Sequence, residues 1–279
     1  MAQKTTVTTL QQMKDDGEKI SMVTAYDYPT ARLVDGVGIE IILVGDSVGN
    51  TTLGHADTVS VELDDIIHHA KPVMRAIEQT FVVGDMPFMS FNVSPEQALR
   101  NAGRLMKEAR VDSVKLEGGQ EMAEIVRALV HRGGIPTMGH IGLTPQRISQ
   151  MGGFKVQGKD VEAAQRLVDD AQALEEAGIF ALVLEGIPHQ IARVITERLS
   201  VPVVGIGAGP HCDGQVLVFH DVVGLSFGVS PKFVKQYADL AGEIETALGR
   251  FKDEIKNETF PTIEEHSFNV DEDVVDKLS

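Results

Sequence analysis

The sequence predicts a (β/α)8 barrel, in which eight parallel strands alternate with eight helices around one closed sheet. Short apolar runs alternate along the chain with segments whose apolar residues recur at helical spacing, and this alternation indicates parallel strands joined by crossover helices. Eight such units in about 250 residues match the usual size of the barrel. A doubly wound open sheet is the alternative, and it is disfavoured because no G-x-G-x-x-G motif follows the first strand.

The predicted strands are short apolar runs, often β-branched, bounded by glycine, proline or polar residues. In chain order they are Met22–Tyr26, Ile39–Val44, Phe81–Gly84, Ser113–Leu116, Ile135–Gly139, Ile179–Leu184, Val201–Ile206 and Asp221–Leu225.

The predicted helices have apolar residues at helical spacing, and several carry start and stop signals such as Ser94-Pro95 and Gly178. They are Thr8–Asp16, Pro29–Asp35, Glu62–Gln79, Ser94–Arg110, Glu121–Arg132, Asp160–Ala177, Pro188–Leu199, Asp213–Phe219 and Pro231–Lys256. The first of them precedes the barrel, and we expect it to lie across one end of the domain.

The chain is divided into an N-terminal lead with its helix (residues 1–20), one barrel domain (21–256) and a C-terminal tail (257–279). No break inside the barrel region suggests a second domain. The tail carries seven acids against one basic residue, Lys277. Its part after Phe268 is predicted to be loosely held.

Composition excludes several classes of protein. The formal net charge is -16, which disfavours a nucleic-acid partner because phosphate binding needs a basic surface. No apolar run approaches the length of a bilayer span, and the polar N-terminus lacks the apolar region of a signal peptide. The single cysteine, Cys212, cannot form an internal disulfide. We therefore expect a protein of the cytoplasm without a membrane partner.

Acidic residues follow several of the predicted strands, although a buried strand needs no acid at its end. Asp46 follows the second strand, Asp85 the third, Glu117 the fourth and Glu185 the sixth. Any one of them has even odds of being only a helix cap or a solvated loop residue. Asp27 and Asp213 are interpreted in that structural way, as a turn and a cap residue.

Three of these acids close neighbouring strands and should therefore converge at the mouth of a barrel. Asp46, Asp85 and Glu117 would repel one another there unless a cation joined them. Oxygen ligands without cysteine or paired histidines favour a hard ion such as Mg²⁺. Since Mg²⁺ usually keeps several waters, some of the three acids could act through a water.

The other strand-end residues fit an enzyme that enolises a small 2-oxo acid. A 2-oxo acid can chelate the metal, which acidifies its C3 hydrogen. Lys115 and Ser47 could bind the substrate carboxylate, Glu185 could move protons, and His140 could orient or protonate the keto oxygen. Lys115 beside Glu117 could also be a plain salt bridge, and a lone histidine is more often a satisfied polar residue. The residues do not identify a second substrate.

Motifs in a fixed order connect the chain to a known family. The main ones are Val44–Ser47, Gly84–Phe88, Val114–Gly119, Gly139–Gln146 and Gly205–Gly209, and the supporting ones are Thr24–Tyr28, Gly153–Gly158 and Glu265–Phe268. Together they resemble the ketopantoate hydroxymethyltransferase (3-methyl-2-oxobutanoate hydroxymethyltransferase) family over essentially Thr24 to Phe268.

The resemblance implies a (β/α)8 barrel with Mg²⁺ that transfers a one-carbon unit from 5,10-methylenetetrahydrofolate to 3-methyl-2-oxobutanoate. The product would be 2-dehydropantoate, in the first step towards pantothenate. The family forms cytoplasmic homo-oligomers, commonly homodecamers.

The resemblance also implies a role for each site residue. The metal-binding residues fall on Asp46, Asp85 and Glu117, the substrate-binding residues on Asp46, Ser47, Asp85 and Lys115, the proton acceptor on Glu185, and the active-site histidine on His140. The sequence does not show which acids contact the metal directly. The loop His140–Gly158 is a candidate cover for the folate pocket because of its length and glycines.

Two alternatives stay open. A Mg²⁺-dependent 2-oxo-acid lyase or phosphonomutase would share the barrel and the metal, but such enzymes typically need a reactive cysteine or another basic residue on a mobile loop. A non-catalytic acidic barrel that stores metal would explain the acids, but not Lys115, His140 and Glu185 around the same mouth.

Overall fold

The computed structural model of the chain describes residues 4–147, 153, 155–228 and 231–278. Eight parallel strands close into a barrel in which each strand pairs with its neighbours in sequence and the eighth pairs with the first. The strands are β1 (Ile20–Thr24), β2 (Ile41–Val44), β3 (Phe81–Asp85), β4 (Ser113–Glu117), β5 (Thr137–Gly142), β6 (Ala181–Glu185), β7 (Val203–Ile206) and β8 (Gly214–Leu217). The predicted (β/α)8 barrel is therefore confirmed.

The α-helices of the described residues form the outer layer and both terminal segments. They are Val7–Asp15, Tyr28–Val37, Val48–Thr51, Leu63–Ala76, Pro95–Arg104, Ala123–Arg127, Val161–Ala177, His189–Arg198, Phe219–Val223, Leu240–Lys256, Ile263–His266 and Glu272–Val275. Two of them continue into π-helical turns, Leu105–Ala109 and Ala128–Arg132. Short 3₁₀ turns in the described residues are Gln120–Met122, Pro145–Arg147 and Asp276–Leu278. None of these helices has the length and apolar character that crossing a membrane would require.

The eighth strand lies earlier in the chain than predicted. Gly214–Leu217 is β8, where a helix was expected, and Phe219–Val223 is helical, where a strand was expected. Short apolar runs do not distinguish strand from helix by periodicity alone. Gly214 explains the observed position, because a Cβ there would lie 2.5 Å from the carbonyl oxygen of Ile20 on β1. Only glycine lets β8 approach β1 and close the barrel.

Asp213 does not cap a helix, contrary to the prediction. One oxygen of its carboxylate pairs with Lys14 Nζ at 2.6 Å and also accepts the N–H of Val203 at 2.9 Å. It therefore secures the start of β7 to the N-terminal helix. Asp27 has a structural role, as predicted, although it caps a helix: its carboxylate accepts the N–H of Thr30 at 2.8 Å.

The last long helix begins later than the predicted Pro231 start. It runs from Leu240 to Lys256, after the Asp239 side chain, which accepts the N–H of Gly242. None of its residues is buried. Its apolar side chains recur at helical spacing and are exposed: Ile244, Leu248, Phe251 and Ile255.

The interior of the barrel is filled by side chains that alternate along each strand. These inward-facing residues form one apolar cluster, with Ile20 and Met22 on β1, Phe81 and Val83 on β3, and equivalent pairs on other strands. Leu10 of the helix Val7–Asp15 is fully buried in the same cluster. The N-terminal helix thus closes one end of the barrel, as expected. The boundaries at residues 20 and 256 stay predictions.

Acids at the opposite ends of the strands from the site have structural roles. Asp35 accepts the N–H of Thr80, Glu40 that of Ser21, and Asp112 that of Val82. Each satisfies a backbone donor at the beginning of a strand, which buried backbone groups require. The acids that end strands are a separate group.

Candidate active site

The site continues the alternating series that fills the barrel. Because strand side chains alternate between the two faces, the inward position after Val83 on β3 is Asp85, and those after Ser113 on β4 are Lys115 and Glu117. His140 follows Met138 on β5 in the same way, and Glu185 follows Val183 on β6. Apart from the small Ser113, the polar groups of this inward series lie towards the carboxyl ends of the strands, where barrel enzymes have their active sites.

The first half of the site is a pair of aspartates with a lysine. The backbone N–H of Asp46, just after β2, donates to Asp85 Oδ2 at 3.1 Å. Lys115 Nζ lies 2.8 Å from the other oxygen, Asp85 Oδ1. All three residues are buried. The structure therefore brings together the predicted acids of two neighbouring strands, and it places the predicted Lys115 of the next strand beside one of them.

Burial and mutual repulsion disfavour the ionised form of both aspartates. Desolvation, followed by the charges of Asp85 and Glu117, raises the pKa of Asp46 well above its usual range. Desolvation also raises the pKa of Asp85, although the nearby ammonium of Lys115 opposes the shift. Burial favours a neutral lysine, but the surrounding carboxylates outweigh it and raise the pKa of Lys115. Lys115 therefore stays positively charged.

The second half of the site is a row of Glu117, His140 and Glu185. His140 Nδ1 lies 3.4 Å from Glu117 Oε1, and its Nε2 lies 3.3 Å from Glu185 Oε2. Burial and the charge of Lys115 favour the neutral ring, yet the two flanking carboxylates raise the pKa of His140 to about 9. Burial likewise opposes ionisation of Glu117, but His140 and Lys115 lower its pKa. The row therefore holds a protonated imidazole between two carboxylates at neutral pH.

Ser47 lies beside this site and is held by an aromatic residue. Its Oγ is 2.7 Å from the hydroxyl of Tyr26, at the end of β1. The Tyr26 ring stacks on His220 and meets His69 edge-on. Burial raises the pKa of Tyr26 to about 12, so the phenol stays protonated. The sequence placed Tyr26 at a strand end but gave it no role.

Gln146 is a site residue that sequence reasoning missed. It is buried, and its side-chain Nε2 donates to Asp46 Oδ2 at 2.9 Å and to the carbonyl oxygen of Met86 at 3.1 Å. Its backbone N–H donates to Glu117 Oε2 at 3.1 Å. The motif Gly139–Gln146 contained this residue, but nothing in a single sequence shows that the loop turns back into the barrel.

The donor set fits a divalent cation held mainly by the aspartate pair. With Asp46 and Asp85 both ionised, carboxylates would outnumber the two cations, Lys115 and protonated His140, and a dication would balance the excess. Within the described ranges, no group of three or more His, Cys, Asp or Glu side chains is arranged to hold a metal. Mg²⁺ needs few protein ligands because it keeps its waters. The two oxygens of Glu117 face His140 and Gln146, so its predicted contact with a metal stays a prediction.

The predicted cover, the loop His140–Gly158, is placed only in part. Its first residues belong to β5, which ends at Gly142, and Pro145–Arg147 form a 3₁₀ turn. Residues 148–152 and 154 lie outside the described residues. The cover therefore stays a prediction.

Comparison of the whole chain with known proteins gives one consistent result. A family model described as ketopantoate hydroxymethyltransferase matches residues 4–263. A 3-methyl-2-oxobutanoate hydroxymethyltransferase of Syntrophomonas wolfei is 53% identical over 275 residues, which cover 99% of each chain. One of Heliobacterium modesticaldum is 55% identical over 274 residues, covering 98% of this chain and 99% of the relative.

Solved structures with little sequence identity share the barrel. A phosphonopyruvate hydrolase in complex with oxalate and Mg²⁺ aligns with a TM-score of 0.60 at 12% identity, covering 94% of this chain and 93% of that one. A 2,3-dimethylmalate lyase of the PEP mutase/isocitrate lyase superfamily aligns with a TM-score of 0.59 at 17% identity, covering 96% and 93%. At these identities the likeness shows the fold alone.

Proposed function

The chain belongs to the ketopantoate hydroxymethyltransferase family and is a one-carbon transferase, and from this premise we propose its donor, mechanism and pathway. It transfers a hydroxymethyl group from 5,10-methylenetetrahydrofolate to 3-methyl-2-oxobutanoate and forms 2-dehydropantoate, in the first step towards pantothenate. One observation carries the mechanism: the Asp46–Asp85–Lys115 group lies beside the Glu117–His140–Glu185 row at the same barrel mouth.

Asp46 and Asp85 are proposed to hold Mg²⁺. Their raised pKa values support this role, since two buried carboxylates that resist ionisation together are stabilised by a cation. When bound, Mg²⁺ supplies Lewis-acid polarisation of a 2-oxo acid, which acidifies its C3 hydrogen. The structural relative with oxalate and Mg²⁺ supports a barrel mouth of this kind.

Lys115 and Ser47 are proposed to bind the substrate carboxylate. Lys115 keeps its charge because carboxylates surround it, and its Nζ is already positioned by Asp85. The Ser47 hydroxyl is oriented by Tyr26. A fixed ammonium and a fixed hydroxyl bind an anion without reorganisation at the moment of reaction.

Glu185 is proposed to take the proton from C3 of the oxo acid. Its side chain is 16% exposed, more than those of Glu117 and His140, so it is accessible from the barrel mouth. One of its oxygens lies 3.3 Å from His140 Nε2, and Glu117 lies 3.4 Å from the other ring nitrogen. The nucleophilic C3 then bonds to the methylene carbon of the folate as one C–N bond of that carbon breaks. Water supplies the hydroxyl group as the second C–N bond breaks, and the two folate nitrogens take up the C3 proton and the remaining proton of water, so that tetrahydrofolate leaves.

A turnover assay tests the proposed reaction. Purified protein is incubated with 3-methyl-2-oxobutanoate, 5,10-methylenetetrahydrofolate and Mg²⁺, with and without a chelator. We expect 2-dehydropantoate only when all three are present, and none from Asp46→Ala. Full turnover by Asp46→Ala, or in the presence of the chelator, would show that the proposed metal site is wrong.

The lyase or phosphonomutase alternative is disfavoured in the form that needs a reactive cysteine. Cys212, the single cysteine, is buried, and burial raises the pKa of its thiol. A buried thiol with a raised pKa is a poor nucleophile or acid. Folate-dependent product formation in the assay above also separates the two reactions.

The homo-oligomer is proposed from the last long helix. The apolar stripe of Leu240–Lys256 is exposed on one chain, and a second copy would cover it.

The decamer is implied only by the family resemblance, and a cytoplasmic location stays a prediction. Light scattering should report an oligomer that Leu248→Glu weakens and that Arg250→Glu, a control on the same helix outside the stripe, leaves intact. A monomeric native protein would contradict the proposal.

A further inference from the structure

Gln146 connects groups that the strands alone do not connect. Its side chain contacts Asp46 after β2 and the Met86 carbonyl after β3, and its backbone contacts Glu117 on β4. It is 4% exposed. One residue of the loop after β5 therefore spans three neighbouring strand ends of the site.

The partners fix the orientation of the Gln146 amide. Its nitrogen contacts the Asp46 carboxylate and the Met86 carbonyl, and a backbone carbonyl can only accept a hydrogen bond. Only the NH₂ end of a carboxamide, which has two N–H donors, can satisfy both. The two donations therefore fix both the amide and the Asp46 oxygen that it contacts.

The backbone before Gln146 is built to bring it into the mouth. Gly142 has a φ of +99°, and a Cβ there would lie 2.2 Å from the carbonyl oxygen of Glu185. The next residue, Leu143, donates its N–H to that same oxygen at 2.8 Å. Only glycine allows this close turn, which directs the loop towards the barrel axis instead of the outer helices.

We propose that Gln146 is a positioning residue of the metal site, which holds the Asp46 carboxylate in one orientation. This inference rests on the proposed function, because it assumes that Asp46 and Asp85 bind Mg²⁺. Partners that hydrogen-bond a metal ligand fix its orientation, and their loss typically weakens metal affinity or activity by about 10- to 100-fold.

The test measures Mg²⁺ binding to the full chain by calorimetry, with the metal alone. Gln146→Met keeps the volume of the side chain and the backbone N–H to Glu117, but it removes both side-chain donations. If Gln146→Met does not fold, Mg²⁺ binding by Gln146→Asn is compared with that of the native chain instead. Its amide is one methylene shorter and therefore does not reach both acceptors. Gln120→Met is the matched control, since it removes an exposed side-chain hydrogen bond to Asp170 on the outer layer.

We expect Gln146→Met to bind Mg²⁺ about 10- to 100-fold more weakly than the native chain, and Gln120→Met to bind it equally well. The rise in melting temperature on adding Mg²⁺ should shrink for Gln146→Met, and higher Mg²⁺ should recover part of its turnover. A purely structural role would lower the melting temperature equally with and without the metal. Native Mg²⁺ affinity in Gln146→Met would overturn the inference, whereas no Mg²⁺ binding by the native chain would overturn the proposed function beneath it.

Discussion

Lys115 is a buried cation paired with the strand-end acid Asp85, so removing its charge tests the electrostatics of the site. Its Nζ lies 2.8 Å from Asp85 Oδ1, and the two side chains are 4% and 1% exposed. Removing one partner of such a buried pair costs about 3–5 kcal/mol, because the other charge stays buried without compensation. Lys115→Met keeps an unbranched apolar stem without the ammonium and should lower the free energy of unfolding by about that amount.

The double variant Lys115→Met/Asp85→Asn separates loss of the pair from loss of packing. The double variant leaves neither charge of the pair, so it should be more stable than the sum of the two single variants predicts. We expect a coupling energy of about 3 kcal/mol in urea unfolding without metal, at one fixed protein concentration. Two effects that add within about 0.5 kcal/mol would refute the account of this pair.

The pH dependence of the single variant gives an independent check. Without Lys115, desolvation raises the pKa of Asp85 further above its unfolded value. An acid with a raised folded pKa destabilises the protein above that pKa and is relieved as the pH falls through it. The defect of Lys115→Met should therefore shrink in acid.

Three further predictions concern the base Glu185, His140, and Leu10 at the closed end of the barrel. Glu185→Gln should lower kcat by about 10²- to 10⁴-fold and leave Mg²⁺ affinity unchanged; native turnover would exclude Glu185 as the base. The pKa of His140 is raised to about 9, so its charge stabilises the fold fully below about pH 6.5 and this stabilisation is lost as the pH rises through about 9. Across that range the native chain should lose about 3 kcal/mol of unfolding free energy more than His140→Gln does, and equal losses in urea unfolding would contradict it. Leu10→Ala should lower the free energy of unfolding, measured in urea, by about 2–5 kcal/mol and leave kcat of the folded protein unchanged. A lower kcat would show that the end of the barrel closed by the N-terminal helix is coupled to the site.

The fold was predictable where the chain alternates regularly. Parallel strands buried on both faces leave apolar runs, and the runs from Met22 to Ile206 place the first seven strands near their observed positions. The prediction for the region after β7 was wrong because Gly214–Leu217 and Val222–Leu225 are both short, largely apolar runs. The choice depends on contact with β1, where only Gly214 fits beside Ile20, and such a contact is not local in sequence.

The site was predictable in part because strand ends share one edge of a parallel sheet. That rule alone places Asp46, Asp85 and Lys115 together at the barrel mouth. It could not find Gln146, whose position depends on the turn at Gly142, nor the contact of Tyr26 with Ser47. Roles that depend on a loop turning back, or on which rotamer meets which neighbour, require the packed structure.

Exchange of the C3 proton of 3-methyl-2-oxobutanoate with deuterated solvent, followed by NMR with Mg²⁺ and without folate, tests the central claim most directly. It isolates deprotonation by this chain's own residues from the chemistry of the second substrate. The account predicts that the native protein exchanges the proton, and that a chelator or Glu185→Gln suppresses the exchange by about 10²-fold or more. Exchange at the native rate in Glu185→Gln, or with the metal removed, would contradict it.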